Sequence, residues 1–393
     1  MGQRSAIIFL PDDTQKTGDR RPLMLQRICG APLLAWLAEA LHEQGLTRFF
    51  LACAETYRDE AAACFPADAS LVTARDLDPA DLLHVFLSTS EEQEDDVLAI
   101  TGPTVFAPSL AARDPGRAPV VSPACLTSRT GLMAALDDAS SIGRYLRTKS
   151  SPCTDRDGFY PVTSAAELPR WGQLLNEVRL TQLRQSGVEI WDYQSCYVGP
   201  FVRVGIGTEL LPGTILEGRT AVGFGCRIGP NTHLLDTTVG NRTCVESSRA
   251  EQCSIGNEVQ VGPFANLRPG TVVEARAKVG AFVELKKTSV GTEAQIPHLS
   301  YLGDTTVGAR ANIGCGTVTA NFDRVDKHET VIEADAFLGC STTLVAPVTV
   351  GQSAYVGAGT VVTDDVPPLA LGISRAKQQN RKDWSLKYKQ PKE

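Results

Sequence analysis

The residues of this 393-residue chain that could do chemistry include five histidines and eleven cysteines. His233, His298 and His328 lack the spacing of a clustered metal site. No two cysteines have CxxC spacing, so they read as reduced thiols rather than a metal or disulfide framework. A histidine is a candidate base, because an imidazole titrates near neutral pH and can take a proton from a nucleophile. Glu284 lies between Val283 and Leu285, an odd place for an acid without a partner. Arg268 and Lys286 stand eighteen residues apart. The C-terminus collects Lys377, Arg381, Lys382, Lys387, Lys389 and Lys392, a run that reads as a solvated, mobile end.

The elements that must position these residues are announced by a period of six. Val198, Val204, Leu210, Leu216, Val222, Ile228 and Leu234 form one run. Ile255, Val261, Leu267, Val273, Val279 and Leu285 form a second, and Leu338, Leu344, Val350, Val356 and Val362 a third. A small residue often follows, as at Gly199, Gly229, Gly339 and Gly357. A hexapeptide period marks a parallel β-helix: each short side points one aliphatic inward, and the small residue lets the chain turn the corner.

The segment 1–163 has another texture. Short apolar runs (6–10, 48–52, 97–100) alternate with amphipathic segments such as 31–44, which predicts an α/β domain with a mainly parallel sheet. Residues 164–186 read as a helix, with Trp171, Leu174, Leu175 and Val178 on one face and a capping box from Ser164 and Glu167. The expected organisation is 1–163 α/β domain, 164–189 linker helix, 190–375 β-helix and 376–393 basic tail.

Composition narrows the class. The chain is 42% hydrophobic and 21% charged, with a formal net charge of −7. That balance argues against nucleic acid or an anionic membrane as the main partner. The N-terminal apolar run is too short for a signal peptide, and no stretch reaches membrane-spanning length. A cytoplasmic enzyme is the expectation.

Longer strings carry a resemblance. ANLRPGT (265–271), GAFVELKKTSVG (280–291), PHLSYLGDTTVGARANIGCGTVTANFD (297–323), LVAPVTVG (344–351) and ISR (373–375) resemble the acetyltransferase half of the bifunctional N-acetylglucosamine-1-phosphate uridyltransferase/glucosamine-1-phosphate acetyltransferase family. The resemblance is strong from about residue 190 onward and weak before it. It implies a left-handed, three-sided β-helix that assembles as a homotrimer, with active sites between neighbours. It implies acetyl transfer from acetyl-CoA to the amine of glucosamine 1-phosphate, for UDP-N-acetylglucosamine and cell-wall (peptidoglycan) synthesis.

The resemblance also assigns residues. His298 and Glu284 match the catalytic pair, the carboxylate fixing the tautomer of the base. Arg268 and Lys286, one coil apart in such a prism, match sugar-phosphate binders. An anion bridging them would relieve their repulsion. Tyr301, Asn312 and Lys327 match sugar contacts. Cys315, Asn321, Phe322, Cys340, Ala358 and Arg375 match the acetyl-CoA side. Three of these depart from the family: Cys340 replaces the common serine, Cys315 a small residue and Phe322 a tyrosine.

The N-terminal half resembles a degenerate, Rossmann-like nucleotidyltransferase sheet. Asp13 and Gln15 stand where the family has loop glycines that let backbone amides approach phosphates. Leu23 replaces a lysine, Gly102-Pro103 replaces the metal-binding Gly-Asp, and Thr163-Ser164 replaces an asparagine pair. Together these predict loss of uridylyl transfer, with Mg²⁺ needed only if that domain is active. The alternatives are the full bifunctional enzyme and a hexapeptide acyltransferase for another amino sugar.

Overall fold

The computed structural model describes residues 4–18, 20–75, 79–89, 96–113, 118–138 and 141–388. They divide into two compact units, Met1–Asp236 and Thr237–Glu393.

In the first unit a six-stranded sheet runs in the order Ser70–Ala74, Leu46–Ala52, Arg4–Phe9, Asp96–Ile100, Val121–Ser128, Ser151–Thr154. The first four strands are parallel and the last two antiparallel, so the expected mainly parallel sheet is present. Alternate residues of its central strands feed two cores. Ala6, Ile8, Phe49 and Leu51 pack on one face with the helix Leu33–Glu43. Ile7, Phe50 and Ala52 pack on the other with Leu83, Phe86 and Leu132. Burial on both faces is why these strands read as continuous apolar runs.

The linker helix spans Leu168–Gln185, starting one turn after its predicted start and following a 3-10 turn at Ala165–Glu167. Glu167 occupies the N-cap position without a side-chain capping bond, and the predicted capping box does not form. The buried stripe also differs from the predicted one. It contains Leu168, Leu175, Leu180 and Leu183 together with the polar Asn176 and Arg179. Asn176 donates to the Cys196 carbonyl (2.8 Å) and accepts from the Val198 amide (3.1 Å). Arg179 donates to the Val202 carbonyl. These side chains satisfy backbone groups of the first coil that would otherwise be buried without partners. Arg203 pairs with Glu39, and Arg219 donates to the Phe65 carbonyl. Sheet, linker and first coils are thereby tied into one unit, and the expected boundaries at 163 and 189 fall inside it. Within this unit the coils begin at Glu189–Ile190, which pairs in parallel with Glu209–Leu210 and then Arg227–Ile228.

The second unit is a prism of parallel coils with three faces. The first face stacks Thr238–Val239, Ser254–Ile255, Val272–Val273, Ser289–Val290, Thr305–Val307, Thr330–Ile332 and Val348–Val350. The second stacks Cys244–Val245, Gln260–Val261, Lys278–Ala281, Gln295–His298, Asn312–Ile313, Phe337–Leu338, Tyr355–Val356 and Leu371–Gly372. The third stacks Arg249–Glu251, Asn266–Leu267, Glu284–Lys286, Tyr301–Gly303, Val318–Ala320, Thr343–Val345 and Val361–Val362. Stacked coils of this kind are the left-handed parallel β-helix that the hexapeptide period predicts. Every aliphatic residue of the three periodic runs is buried except Val204, which is half-buried.

The corners are held by buried threonines. Thr271 donates to the Arg268 carbonyl, Thr317 to Gly314 and Thr342 to Gly339, each at 2.7 Å. On the third face Glu284 pairs with Tyr301, and Tyr301 with Val318, in coils of equal length. The next coil, from Val318 to its partner Thr343, is longer. Its extra residues form the segment 321–329. No helix among the described residues is long and apolar enough to cross a membrane. Of the basic tail, residues 376–386 are exposed, and 389–393 lie outside the described residues.

Thr342→Val tests the corner bond. Losing a buried hydroxyl donor while its carbonyl partner stays should cost about 1–3 kcal/mol. The same change at Thr306, an exposed strand position, should stay within about 0.5 kcal/mol. Urea unfolding of the two variants measures the difference.

Candidate active site

Every residue assigned to the acetyl-transfer site lies in the second unit, and all but Asn312 sit on the third face or at one of its two edges. At the far edge, Arg268 and Lys286 follow strands paired one coil apart, with the Arg268 amide donating to the Leu285 carbonyl at 2.9 Å. They stack as the spacing predicts. Lys327 joins them from the inserted segment: its ammonium lies against that of Lys286 and holds the Lys286 pKa below the ordinary lysine value, with burial and Arg268 adding to the effect. Asp304 opposes this shift.

The insertion is folded as a small hairpin. Phe322 and Lys327 form an antiparallel bridge, and the His328 amide donates to the Asn321 carbonyl at 2.9 Å. Asp323 pairs with the His328 ring at 2.7 Å and accepts from the amides of Val325 (2.8 Å) and Asp326 (2.7 Å). The His328 ring, followed by those amides, holds the Asp323 carboxyl far below the usual carboxylate range. This clasp, which the sequence reading missed, fixes the segment that carries Lys327.

Tyr301 and Asn321 converge over Gly303. A Cβ on that glycine would lie 2.6 Å from the Tyr301 hydroxyl and 2.8 Å from Asn321 Nδ2, so only a bare backbone admits both. Asn321 also donates to Asp304 at 2.6 Å. Gly303 and Asp304 went unassigned, although both stand inside the string YLGDTT. Asn321, placed by sequence on the acetyl-CoA side, sits in the structure with Tyr301 and Asp304.

The near edge is a column of turn residues. His298 is in register with Ala281. Cys315 and Cys340 follow the paired strands Asn312–Ile313 and Phe337–Leu338, and Ala358 follows Tyr355–Val356, which pairs with the latter strand. Cys340 and Ala358 therefore stack along one wall, as their spacing predicts. Arg375 closes the column by donating to the Ala358 carbonyl.

Within the single chain, two of the assigned residues stand apart from the others. Glu284 does not meet His298 within the chain; its carboxylate is held by Arg268, at 3.1 Å. Arg268 precedes Glu284 by one coil on the same face, whereas His298 stands at the corner before that face. The His298 ring is exposed and has no hydrogen-bond partner among the described residues. Asn312, also matched to a sugar contact, is on a different face from Tyr301. It lies on the second face, in register with Gln295 and Phe337.

In the first unit, the stretch that would wrap a nucleotide is tied to itself. Asp12 accepts from the Thr14 amide (3.2 Å) and hydroxyl (2.6 Å), and Asp13 accepts from the Leu23 amide at 3.0 Å. Pro103 offers only its carbonyl, which accepts from the Val162 amide at 3.0 Å. Pro103 has no side chain that could ligate a magnesium ion.

An α/β sheet domain followed in sequence by a left-handed β-helix, with cations gathered on one edge and an imidazole on another, is a hexapeptide-repeat architecture. In sequence, the chain is similar over about half its length to proteins named bifunctional protein GlmU. It is 46% identical to that of Carboxydothermus hydrogenoformans over 230 residues, 58% of this chain and 52% of the relative. It is 46% identical to that of Geobacillus sp. over 199 residues (51% and 43%), and 44% identical to that of Thermotoga petrophila over 209 residues (53% and 47%). The chain thus spans about half the length of the curated relatives it matches. No family model matches it. Among solved structures, Arabidopsis UDP-N-acetylglucosamine acyltransferase aligns with 46% of this chain and 70% of its own, at 18% identity and a TM-score of 0.35.

The cation edge makes a binding prediction that is independent of any reaction. Sulfate, whose charge is constant over the range, should raise the Tm of the wild type more than that of Lys286→Gln. Because the Lys286 pKa is lowered, this difference should fade as pH rises through a value below the ordinary lysine range. Lys286→Arg, charged at all accessible pH, should keep it. Thermal melts from pH 7 to 10 measure all three.

Proposed function

We propose that this chain transfers the acetyl group of acetyl-CoA to the amine of glucosamine 1-phosphate, as a homotrimer whose sites form between neighbouring protomers. The observation that carries this reading is the gathering of Arg268, Lys286 and Lys327 at one edge. Glu284 and Asp304 offset part of their mutual repulsion, and the phosphate of a sugar phosphate would bridge all three.

In this mechanism the three cations hold the phosphate, while Tyr301 and Asn312 hold the sugar. His298 takes the proton that leaves the amine. The amine nitrogen attacks the thioester carbonyl, the carbon–sulfur bond breaks, and the proton passes from His298 to the departing thiolate. Phosphate on Arg268 would release Glu284 to orient the His298 ring. Cys315, Asn321, Phe322, Cys340, Ala358 and Arg375 shape the side on which acetyl-CoA lies. Opposite edges of one face meet most simply when two copies stand side by side, which supports an assembly.

The segment 1–163 acts on this reading as a degenerate nucleotidyltransferase-like domain that has lost uridylyl transfer. The linker, β-helix and tail take the boundaries expected from sequence. The product would serve UDP-N-acetylglucosamine synthesis in the cytoplasm.

The test is incubation with acetyl-CoA and glucosamine 1-phosphate, following thiol release. Turnover is expected, with kcat reduced about 10²–10⁴-fold in His298→Ala, as for loss of a general base. With UTP, Mg²⁺ and N-acetylglucosamine 1-phosphate, no pyrophosphate is expected. Pyrophosphate release would establish the bifunctional reading instead, and turnover with a different amino sugar alone would move the acceptor.

A further inference from the structure

We propose that Cys315 and Cys340 are a disulfide-forming pair, a thiol-oxidation site built into the wall along which acetyl-CoA would lie. The thiol chemistry stands on geometry alone; its effect on acetyl transfer rests on the functional reading above.

Ile313 and Leu338 are in register on neighbouring coils, and each cysteine lies two residues beyond its strand partner. The stacking continues through the corner, because the Ser341 amide donates to the Cys315 carbonyl at 2.7 Å. Neighbouring coils lie ~4.8 Å apart, inside the ~4.4–6.8 Å between Cα atoms that a disulfide accepts. The Cβ atoms must approach to about 3.5–4.5 Å, slightly closer than the coil spacing. The surrounding glycines, Gly314, Gly316 and Gly339, make that adjustment possible. At Gly314 the coils are already tight: a Cβ there would fall 2.6 Å from the Cys340 amide nitrogen.

Access favours Cys340 as the attacking thiol; Cys315 is singled out by its place one coil away rather than by exposure, which Cys29, Cys125 and Cys244 share. Cys340 is exposed and Cys315 half-buried, whereas Cys53, Cys64, Cys153, Cys196, Cys226 and Cys253 are buried. Burial pushes the Cys64 thiol up to about 12 and the Cys153 thiol up to about 11, so neither supplies thiolate at neutral pH. His298 stands one coil before Cys315 in the same column, where the Gly316 amide donates to the Leu299 carbonyl at 3.1 Å. An imidazole there can accept a thiol proton.

The oxidant is a small-molecule disulfide such as glutathione disulfide. The Cys340 thiolate attacks its sulfur–sulfur bond, forms a mixed disulfide and releases one glutathione thiol. The Cys315 thiolate then attacks the Cys340 sulfur and releases the second. Two protein thiols lose two protons and two electrons, and one glutathione disulfide becomes two thiols. The product removes the Cys340 S–H donor and binds two rungs of the wall together.

The experiment treats the full-length protein with glutathione disulfide, blocks remaining thiols with N-ethylmaleimide and maps peptides by mass spectrometry. The expected result is a linked peptide pair joining positions 315 and 340, with a mass loss of about 2 Da for the two hydrogens removed. Dithiothreitol should reverse it. Cys315→Ser should trap a glutathione adduct on Cys340, and an unchanged thermal melt of that variant shows that it still folds. Separate adducts on both cysteines of the wild type, or two maleimide-blocked thiols, would overturn the proposal. Acetyl transfer is measured in parallel. A link that forms without changing an active enzyme overturns the placement of the pair on the acetyl-CoA wall. A reduced protein that never turns over overturns the functional reading and leaves the disulfide standing.

Discussion

The structure depends on coil-to-coil register. Parallel pairing fixes each rung over the last, so an outward residue at one position stands ~4.8 Å from its counterpart one coil later. Chemistry on such a surface is set by counting along the chain rather than by loops meeting in space. Buried aliphatics hold the sides, and threonine hydroxyls answer the corner carbonyls. Arg268 and Lys286 are brought together this way, as are His298, Cys315, Cys340 and Ala358.

Register also explains what the sequence revealed and what it hid. The three runs of aliphatic residues are legible because an inward position recurs at every sixth place when a coil holds three hexapeptides. The pattern lapses between Leu285 and Leu338, where shortened coils and the one lengthened by 321–329 interrupt the count. The α/β strands are visible as apolar runs because both faces of the sheet are covered. The linker helix is legible too, but its buried stripe is rotated from the apolar one. Asn176 and Arg179 are buried there to satisfy backbone groups of the first coil, a demand no hydrophobic pattern records.

At the site, stacking was legible and side-chain partnership was not. Arg268 and Lys286 could be paired by spacing alone. The grip of Arg268 on Glu284, at 3.1 Å, depends on which of two neighbours a carboxylate faces. Spacing cannot decide that when both are within a coil. Gly303 and Asp304 were missed for a related reason: one works by lacking a side chain and the other by bonding Asn321, and neither residue type announces such a role. In the N-terminal domain, the acids at 12 and 13 stand out in the sequence as unsuited to a triphosphate, and in the structure each serves the closure of its own loop.

A stack of like coils has no preferred address, since every rung offers nearly the same surface as the next. The hairpin at 321–329 ends that equivalence. Because a single rung carries the detour, the ammonium of Lys327 can meet the cations beneath it at one height and nowhere else. The insertion therefore acts as a place-marker on an otherwise repetitive ruler, limiting each copy of the chain to one such cation cluster however many coils it contains.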